Sequence, residues 1–152
     1  MRLKVLTALA AVAMLAACET PSDGSGGAGA GQQRAQTLQE QLGAVGDRVF
    51  FDYDKSELKP EARRQIERWA EFLKRNANAT VTIEGHCDER GTREYNLGLG
   101  ERRANAAKNY LVSQGIEARR VATISYGKER PAVNGSNEAA WSQNRRGVAV
   151  VN

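Results

Sequence analysis

The densest group of reactive and charged side chains lies in one short segment, residues 85–92, which read GHCDERGT. Its two glycines predict a tight loop, in which the carboxylate of Asp88 and the guanidinium of Arg90 stand two residues apart. Asn96 and Arg103 follow at a spacing of seven residues, which places both on one face of a helix. Spacing alone leaves open whether Asp88 and Arg103 bind a ligand or form a surface ion pair, which is typically worth less than about 1 kcal/mol.

His86 and Cys87 stand next to Asp88 and raise the questions of a metal site and of catalysis. Consecutive side chains of a tight loop rarely converge on one ion, and the sequence has no second His or Cys cluster to complete a zinc site. An enzyme needs a nucleophile with a base, or a catalytic metal. His86 is the sole histidine, and adjacent side chains point apart in an extended chain. We therefore expect no enzyme, no metal and no cofactor.

Helix and strand signals surround this segment. Pro60 suits the first turn of a helix whose apolar face, including Trp69, recurs at helical spacing to about residue 76. Thr92 can cap a helix that runs through Gln114, and Asn137 can cap a short one over 138–144. Strands are predicted over residues 48–53, 80–85, 120–126 and 147–151. The order β-α-β-α-β-α-β predicts an α/β sandwich with helices packed on a small four-stranded mixed sheet.

The amino terminus has the pattern of a secretory signal peptide, residues 1–17. A short basic start is followed by thirteen almost wholly apolar residues, fewer than the roughly 20 of a membrane-spanning helix. The sequence LAAC at 15–18 resembles the lipobox of bacterial lipoproteins, in which the chain is cut between Ala17 and Cys18. There the cysteine receives an S-diacylglycerol and an N-acyl group. An ordinary secreted protein with an incidental Cys18 is the alternative, and Glu19 favours delivery to the outer membrane.

A linker follows the predicted lipid anchor. Residues 20–31 read TPSDGSGGAGAG, which is typical of a flexible tether. Leu38 and Leu42 are too sparse to predict a buried face. We therefore assign 18–46 to the lipidated cysteine and a disordered tether, and 47–152 to a single folded domain.

Four stretches of the domain resemble one family. The long stretch GHCDERGTREYNLGLGERRANAAKNYL at 85–111 is similar to the signature of OmpA-like peptidoglycan-binding domains. Three shorter stretches agree in order and spacing: FFDYDKSEL at 50–58, SYGKERPAV at 125–133 and NRRGVAV at 144–150. The resemblance covers residues 47–152, and the lipobox and tether fit its lipoprotein members.

The resemblance implies a binding site for the diaminopimelate side chain of an uncrosslinked stem peptide. That side chain ends in a zwitterion, with an ammonium and a carboxylate on one carbon. By residue-wise match, Asp88 would accept from the ammonium and Arg103 would fork onto the carboxylate. Arg90 would meet another stem carboxylate. The remaining expected site residues are Tyr53, Asp54 and Asn96. Trp69 and Trp141 are expected to pack in or beside the core.

The resemblance also implies function and partners. We expect a lipid-anchored protein of a Gram-negative outer membrane whose periplasmic domain holds peptidoglycan. Lipoprotein members of the family also bind TolB and act with the Tol proteins in outer-membrane integrity and cell division. A generic wall anchor outside the Tol system and, more remotely, a wall-modifying enzyme are the alternatives. Nucleic acid is not expected: the chain's charge of +4 falls to +2 without residues 1–17, and the domain has 19 basic and 15 acidic residues.

Overall fold

The computed structural model describes residues 36–152, which form a four-stranded sheet with helices packed against it. A 3₁₀ turn, Ala118–Arg120, precedes the third strand. The elements in chain order are α1 (Leu38–Val45), β1 (Arg48–Phe50), α2 (Pro60–Arg75), β2 (Val81–His86), α3 (Arg93–Ser113), β3 (Val121–Gly127), α4 (Glu138–Asn144) and β4 (Arg146–Val151).

The predicted signal peptide, its cleavage site at Ala17–Cys18, the lipidation of Cys18 and the linker up to residue 35 lie outside the described residues. Within residues 36–152, no helix is long and apolar enough to cross a membrane.

The sheet has the strand order β1-β4-β2-β3. β2 and β3 run parallel, whereas β4 is antiparallel to both of its neighbours, β1 and β2. This confirms the mixed sheet and the alternating order of strands and helices. Phe50 pairs with Arg146, and Gly85 pairs with Gly147. The end of β1, the end of β2 and the start of β4 therefore meet at one edge of the sheet, and the segment 85–92 starts there.

α2 supplies a large part of the core. Pro60 occupies its first turn, and its buried face includes Ile66, Trp69 and Leu73, each at most 1% exposed. These side chains belong to the same buried cluster as Ile83 of β2. The indole Nε1 of Trp69 donates to the Gly46 carbonyl at 2.6 Å, so its polar atom is satisfied. The predicted packing role of Trp69 is confirmed.

α3 lies unusually close to β2 because two glycines face each other. A Cβ on Gly85 would overlap the carbonyl oxygen of Gly100, and a Cβ on Gly100 would lie 2.9 Å from the Gly85 oxygen. Neither position has room for a side chain. The contact fixes α3 against the end of β2, and with it the helix positions of Asn96 and Arg103.

The folded part begins earlier than the sequence predicts. α1 opens with a capping box in which the Thr37 hydroxyl accepts from the Glu40 N–H and the Glu40 carboxylate accepts from the Thr37 N–H. Leu42 is 1% exposed and packs in the main core, and Leu38 packs partly against it. The expectation that these leucines are too sparse to bury is therefore wrong, and the start near Asp47 is corrected to α1. Leu42 is buried, and Leu38 half-buried, by partners that are distant in sequence.

Candidate functional site

A cavity of about 120 Å³ opens at the sheet edge where β1 and β2 end. All six residues predicted for the site line it, from the loop after β1, the loop after β2 and the first half of α3. Its lining is Tyr53, Asp54, Cys87, Asp88, Arg90, Gly91, Tyr95, Asn96, Leu99 and Arg103. At roughly 30 Å³ per water molecule, the volume holds a group of about four or five heavy atoms.

Asp88 is the buried anion of the cavity, with a side chain 4% exposed. Its Oδ2 accepts from Arg90 Nη2 at 2.6 Å and from Arg145 Nη1 at 3.3 Å. Its Oδ1 accepts from the backbone N–H and the Nε of Arg90, at 3.1 and 3.2 Å. Burial by itself raises the pKa of Asp88, but the hydrogen bonds from Arg90 and Arg145 outweigh it and the pKa is lowered. The carboxylate is therefore held in its charged form.

Arg90 lies between two aromatic rings. Its Cζ atom is 3.9 Å from the ring centroid of Tyr53 and 4.0 Å from that of Trp141. Such stacking uses the flat faces of the guanidinium and leaves its edge free for hydrogen bonds. Trp141 also donates from Nε1 to the Glu89 carboxylate at 3.0 Å. Trp141 thus packs against the site itself rather than in the core.

Arg103 is fully buried, and its guanidinium joins three segments. It donates to the carbonyl oxygens of Lys55, His86 and Asp52 at 2.8, 2.8 and 3.0 Å. Burial lowers the pKa of Arg103, and an arginine keeps its proton in proteins. Three of its five N–H groups are thereby engaged, and Nη1 and Nη2 each keep one N–H. The alternative of a surface ion pair between Arg103 and Asp88 is wrong: both residues are buried, and each is bound to other partners.

Asn96 fixes the loop. Its Nδ2 donates to the carbonyl oxygens of Arg90 and Thr92, at 2.9 and 3.0 Å. Gly91 adopts φ +96° between them, in the left-handed region that favours glycine. Thr92 then caps α3 by accepting from the Tyr95 N–H at 3.2 Å. Hydrogen bonds within the protein thus hold the 85–92 segment in its conformation without a ligand.

Tyr53 and Asp54 form the outer wall. Tyr53 is 57% exposed, and Asp54 has a positive φ of 55°, a conformation that aspartate tolerates better than most residues. The Tyr95 hydroxyl donates to the Asp54 carboxylate across the cavity mouth. The β1–α2 loop is thereby tied to α3 from outside by Asp54 and from inside by Arg103.

Sequence reasoning missed Arg145, which sits directly behind Asp88. Its side chain is 8% exposed, and its Nε donates to the Phe51 carbonyl at 3.0 Å. Its Nη2 donates to Glu138 at 2.6 Å. Tyr95 was also missed. Both residues lie inside stretches that carry the family resemblance, and this was the one signal for them in the sequence. Only the tertiary structure shows that Arg145 contacts Asp88 and that Tyr95 contacts Asp54.

His86 is buried beside the cavity, and Cys87 forms a buried part of the cavity lining. Cys87 is 3% exposed, its Sγ donates to the Asn96 carbonyl at 3.3 Å, and burial raises the pKa of its thiol. His86 is 1% exposed, with Nε2 at 3.2 Å from Glu84 Oε2. Burial, reinforced by Arg146, lowers the pKa of His86 to about 4. Across residues 36–152, no group of three His, Cys, Asp or Glu side chains is placed to hold a metal ion.

The cavity thus places a buried carboxylate, a buried guanidinium and a half-exposed guanidinium around a space of a few heavy atoms. The charged groups that line it are of both signs, which suits a small ligand group that carries both charges. Its polar atoms are held by backbone carbonyls and by buried partners. The site is therefore largely preformed.

The chain is similar to known proteins over most of its length. A family model described as the OmpA family matches residues 50–145. The chain is 46% identical to a peptidoglycan-associated lipoprotein of Rhizobium meliloti, over 97% of this chain and 86% of the relative. It is 49% identical to one of Agrobacterium fabrum, over 84% of this chain and 71% of the relative.

Two solved structures share the fold. The crystal structure of the peptidoglycan-associated lipoprotein from Burkholderia pseudomallei has a TM-score of 0.68 and 37% identity, covering 70% of this chain and 90% of that one. The C-terminal domain of Helicobacter pylori MotB reaches a TM-score of 0.65 at 18% identity, covering 70% and 84%, and shares the fold alone.

Proposed function

Because the chain belongs to the OmpA family, and within it to the peptidoglycan-associated lipoproteins, we propose that its domain holds the cell wall by non-covalent binding of the diaminopimelate side chain of a stem peptide. The observation that carries the proposal is the cavity itself, in which Asp88 and Arg103 line one space of about 120 Å³. The end of a diaminopimelate side chain is an ammonium and a carboxylate on one carbon. That group has five heavy atoms besides the chain, which matches the space.

The proposed roles of the lining residues follow from the hydrogen-bond donors and acceptors that they carry. Asp88 is the acceptor that suits the ammonium, and the remaining N–H groups of Arg103 suit the carboxylate. Arg90 suits a second carboxylate of the stem, with Tyr53 and Asp54 as the wall. Asn96 shapes the loop. Binding of this kind needs no bond-breaking step, and the family relatives are named for wall association rather than for a reaction.

The test is a pull-down of the full-length chain with purified sacculi. Asp88→Asn removes the charge and keeps the shape, so we expect sacculus binding to fall at least about tenfold, the factor that corresponds to a charge-assisted hydrogen bond. Wild-type protein is also expected to bind sacculi with diaminopimelate better than sacculi with lysine, whose side chain lacks the carboxylate.

Asp47→Asn is the matched control. Asp47 pairs with Arg48 at the far end of β1, outside the cavity, and its variant should bind like wild type. Circular dichroism of both variants must match that of wild type. Full binding by a folded Asp88→Asn variant would refute the site assignment.

The setting of this binding is proposed on the same family membership. The lipobox at Cys18 would anchor the chain in the outer membrane of a Gram-negative cell, with the domain in the periplasm. We further propose that TolB and the other Tol proteins are its partners and that it acts with them during cell division. Purified TolB should then lower sacculus binding; a generic wall anchor outside the Tol system would be indifferent to it.

A further inference from the structure

Donors within residues 36–152 already occupy the acceptor positions of Asp88. A carboxylate offers about four lone-pair sites. Those of Asp88 accept four hydrogen bonds from within the described part of the chain, three of them from Arg90 and one from Arg145. An incoming ammonium, which carries three N–H donors, therefore has to displace a donor that is already in place.

The donors differ in how firmly they are held. Arg145 is 8% exposed, and its guanidinium is also bound to the Phe51 carbonyl and to both oxygens of Glu138. Moving Arg145 would break those bonds inside the protein. The side chain of Arg90 is 29% exposed, and its guanidinium hydrogen-bonds to Asp88. The Arg90 guanidinium is the donor that can leave.

Its surroundings keep a released Arg90 guanidinium near the site. The ring centroids of Tyr53 and Trp141 lie 3.9 and 4.0 Å from its Cζ atom, and these cation–π contacts do not depend on the hydrogen bonds to Asp88. Trp141 is itself held by Glu89. After leaving Asp88, the guanidinium edge would be unpaired and would need an anion.

We infer that Arg90 is an internal cation that the ligand's ammonium displaces from Asp88, and that the site favours ligands which offer the released guanidinium a second carboxylate. This inference rests on the proposed function. Ligand binding at Asp88 is then an exchange of one cation for another. A lone zwitterion pairs its ammonium with Asp88 but leaves the Arg90 guanidinium without an anion. A zwitterion with a neighbouring carboxylate pairs its ammonium with Asp88 and its second carboxylate with Arg90. The site thereby distinguishes a stem peptide from free amino acids.

The test compares two probes on the full-length protein by isothermal titration calorimetry. One probe is diaminopimelic acid acetylated and amidated at one end, which keeps a single zwitterion. The other is the tripeptide L-Ala-γ-D-Glu-meso-diaminopimelate, which adds carboxylates. Wild type should prefer the tripeptide. Arg90→Ala and Arg90→Gln should bind the single-zwitterion probe about tenfold tighter than wild type, because no internal cation competes. Their preference for the tripeptide should largely disappear.

Arg119→Ala is the control, since Arg119 is exposed, pairs only with its neighbour Glu117 among the described residues, and lies outside the cavity. It should bind both probes like wild type. Equal or weaker binding of the single-zwitterion probe by both Arg90 variants, while wild type still binds sacculi, would overturn the exchange and leave the proposed function intact. Failure of wild type to bind sacculi and both probes would overturn the proposed function, and the exchange with it.

Discussion

At the residue scale, His86 is a buried group whose protonation is coupled to folding. Its ring lies 5.4 Å from that of Tyr126, and Nε2 contacts Glu84. Burial is the main cause that lowers its pKa to about 4, with Arg146 and Arg130 acting in the same direction against Glu84. In an unfolded chain a histidine titrates near ~6.5. Between about pH 4 and pH 6.5, His86 is therefore protonated in the unfolded chain and neutral in the folded one.

The sign of the pH effect follows from that difference. The stability due to neutral His86 is fully present above about pH 6.5 and is lost as the pH falls toward 4. We expect the free energy of unfolding, measured by urea titration, to decline from pH 7 to pH 5 with a slope that approaches about 1.4 kcal/mol per pH unit. His86 is the sole histidine, so His86→Asn should flatten this slope whatever its own stability. An unchanged slope in that variant would contradict the assignment.

Single residues also mark where sequence reasoning succeeds and where it stops. Asp88, Arg90 and Asn96 are close in the chain, and local spacing places them on a loop and the helix after it. Arg145 reaches Asp88 only because β4 inserts beside β2. The three carbonyl partners of Arg103 come from the β1–α2 loop and the end of β2, and no spacing rule predicts them.

At the element scale, helix ends were predictable because the groups that cap a helix are local. Thr92 and Asn137 cap α3 and α4 as predicted, and Pro60 starts α2. The end of β1 was predicted three residues too far, since the chain leaves the sheet after Phe50 and turns at residues 53–54, where it forms the wall of the site. α1 was missed although the sequence carries its capping box, because its leucines are buried by contacts far along the chain.

The packing of α3 on β2 gives a prediction with an internal control. Gly98 and Gly100 lie two residues apart on α3, but only Gly100 faces Gly85. Gly100→Ala should lower the free energy of unfolding by about 2–3 kcal/mol, because the methyl group meets Ser125 and the Gly85 carbonyl.

Gly98→Ala should instead raise the free energy of unfolding by about 0.4–1 kcal/mol, since its Cβ would meet only the flexible Arg102 side chain at 3.4 Å. Chemical denaturation of both variants measures the difference. Equal free energies of unfolding for the Gly98→Ala and Gly100→Ala variants would show that α3 and β2 leave room for a methyl group at Gly100.

At the scale of the whole molecule, wall binding and membrane attachment are proposed for separate parts of the chain. The Cys18→Ser variant should lose its lipid and move from the detergent phase to the aqueous phase in a phase-partitioning assay. Its sacculus binding should remain at the wild-type level, because the cavity is built entirely from residues of the domain. Retention of Cys18→Ser in the detergent phase would refute the lipobox.

The position of α1 has a mechanical consequence. The Gln39 side chain of α1 accepts from the Val151 N–H at 2.8 Å, and Val151 pairs with Val81 at the start of β2. The cavity lies beyond the opposite end of β2, about 20 Å away along six residues. If the proposed membrane tether precedes α1 and the proposed wall ligand is bound at the cavity, a tension between them would run parallel to the strands. The hydrogen bonds that pair β4 with β1 and with β2 would then be loaded together in shear. They would not break one after another, as they do when a strand is pulled away from its neighbour at one end.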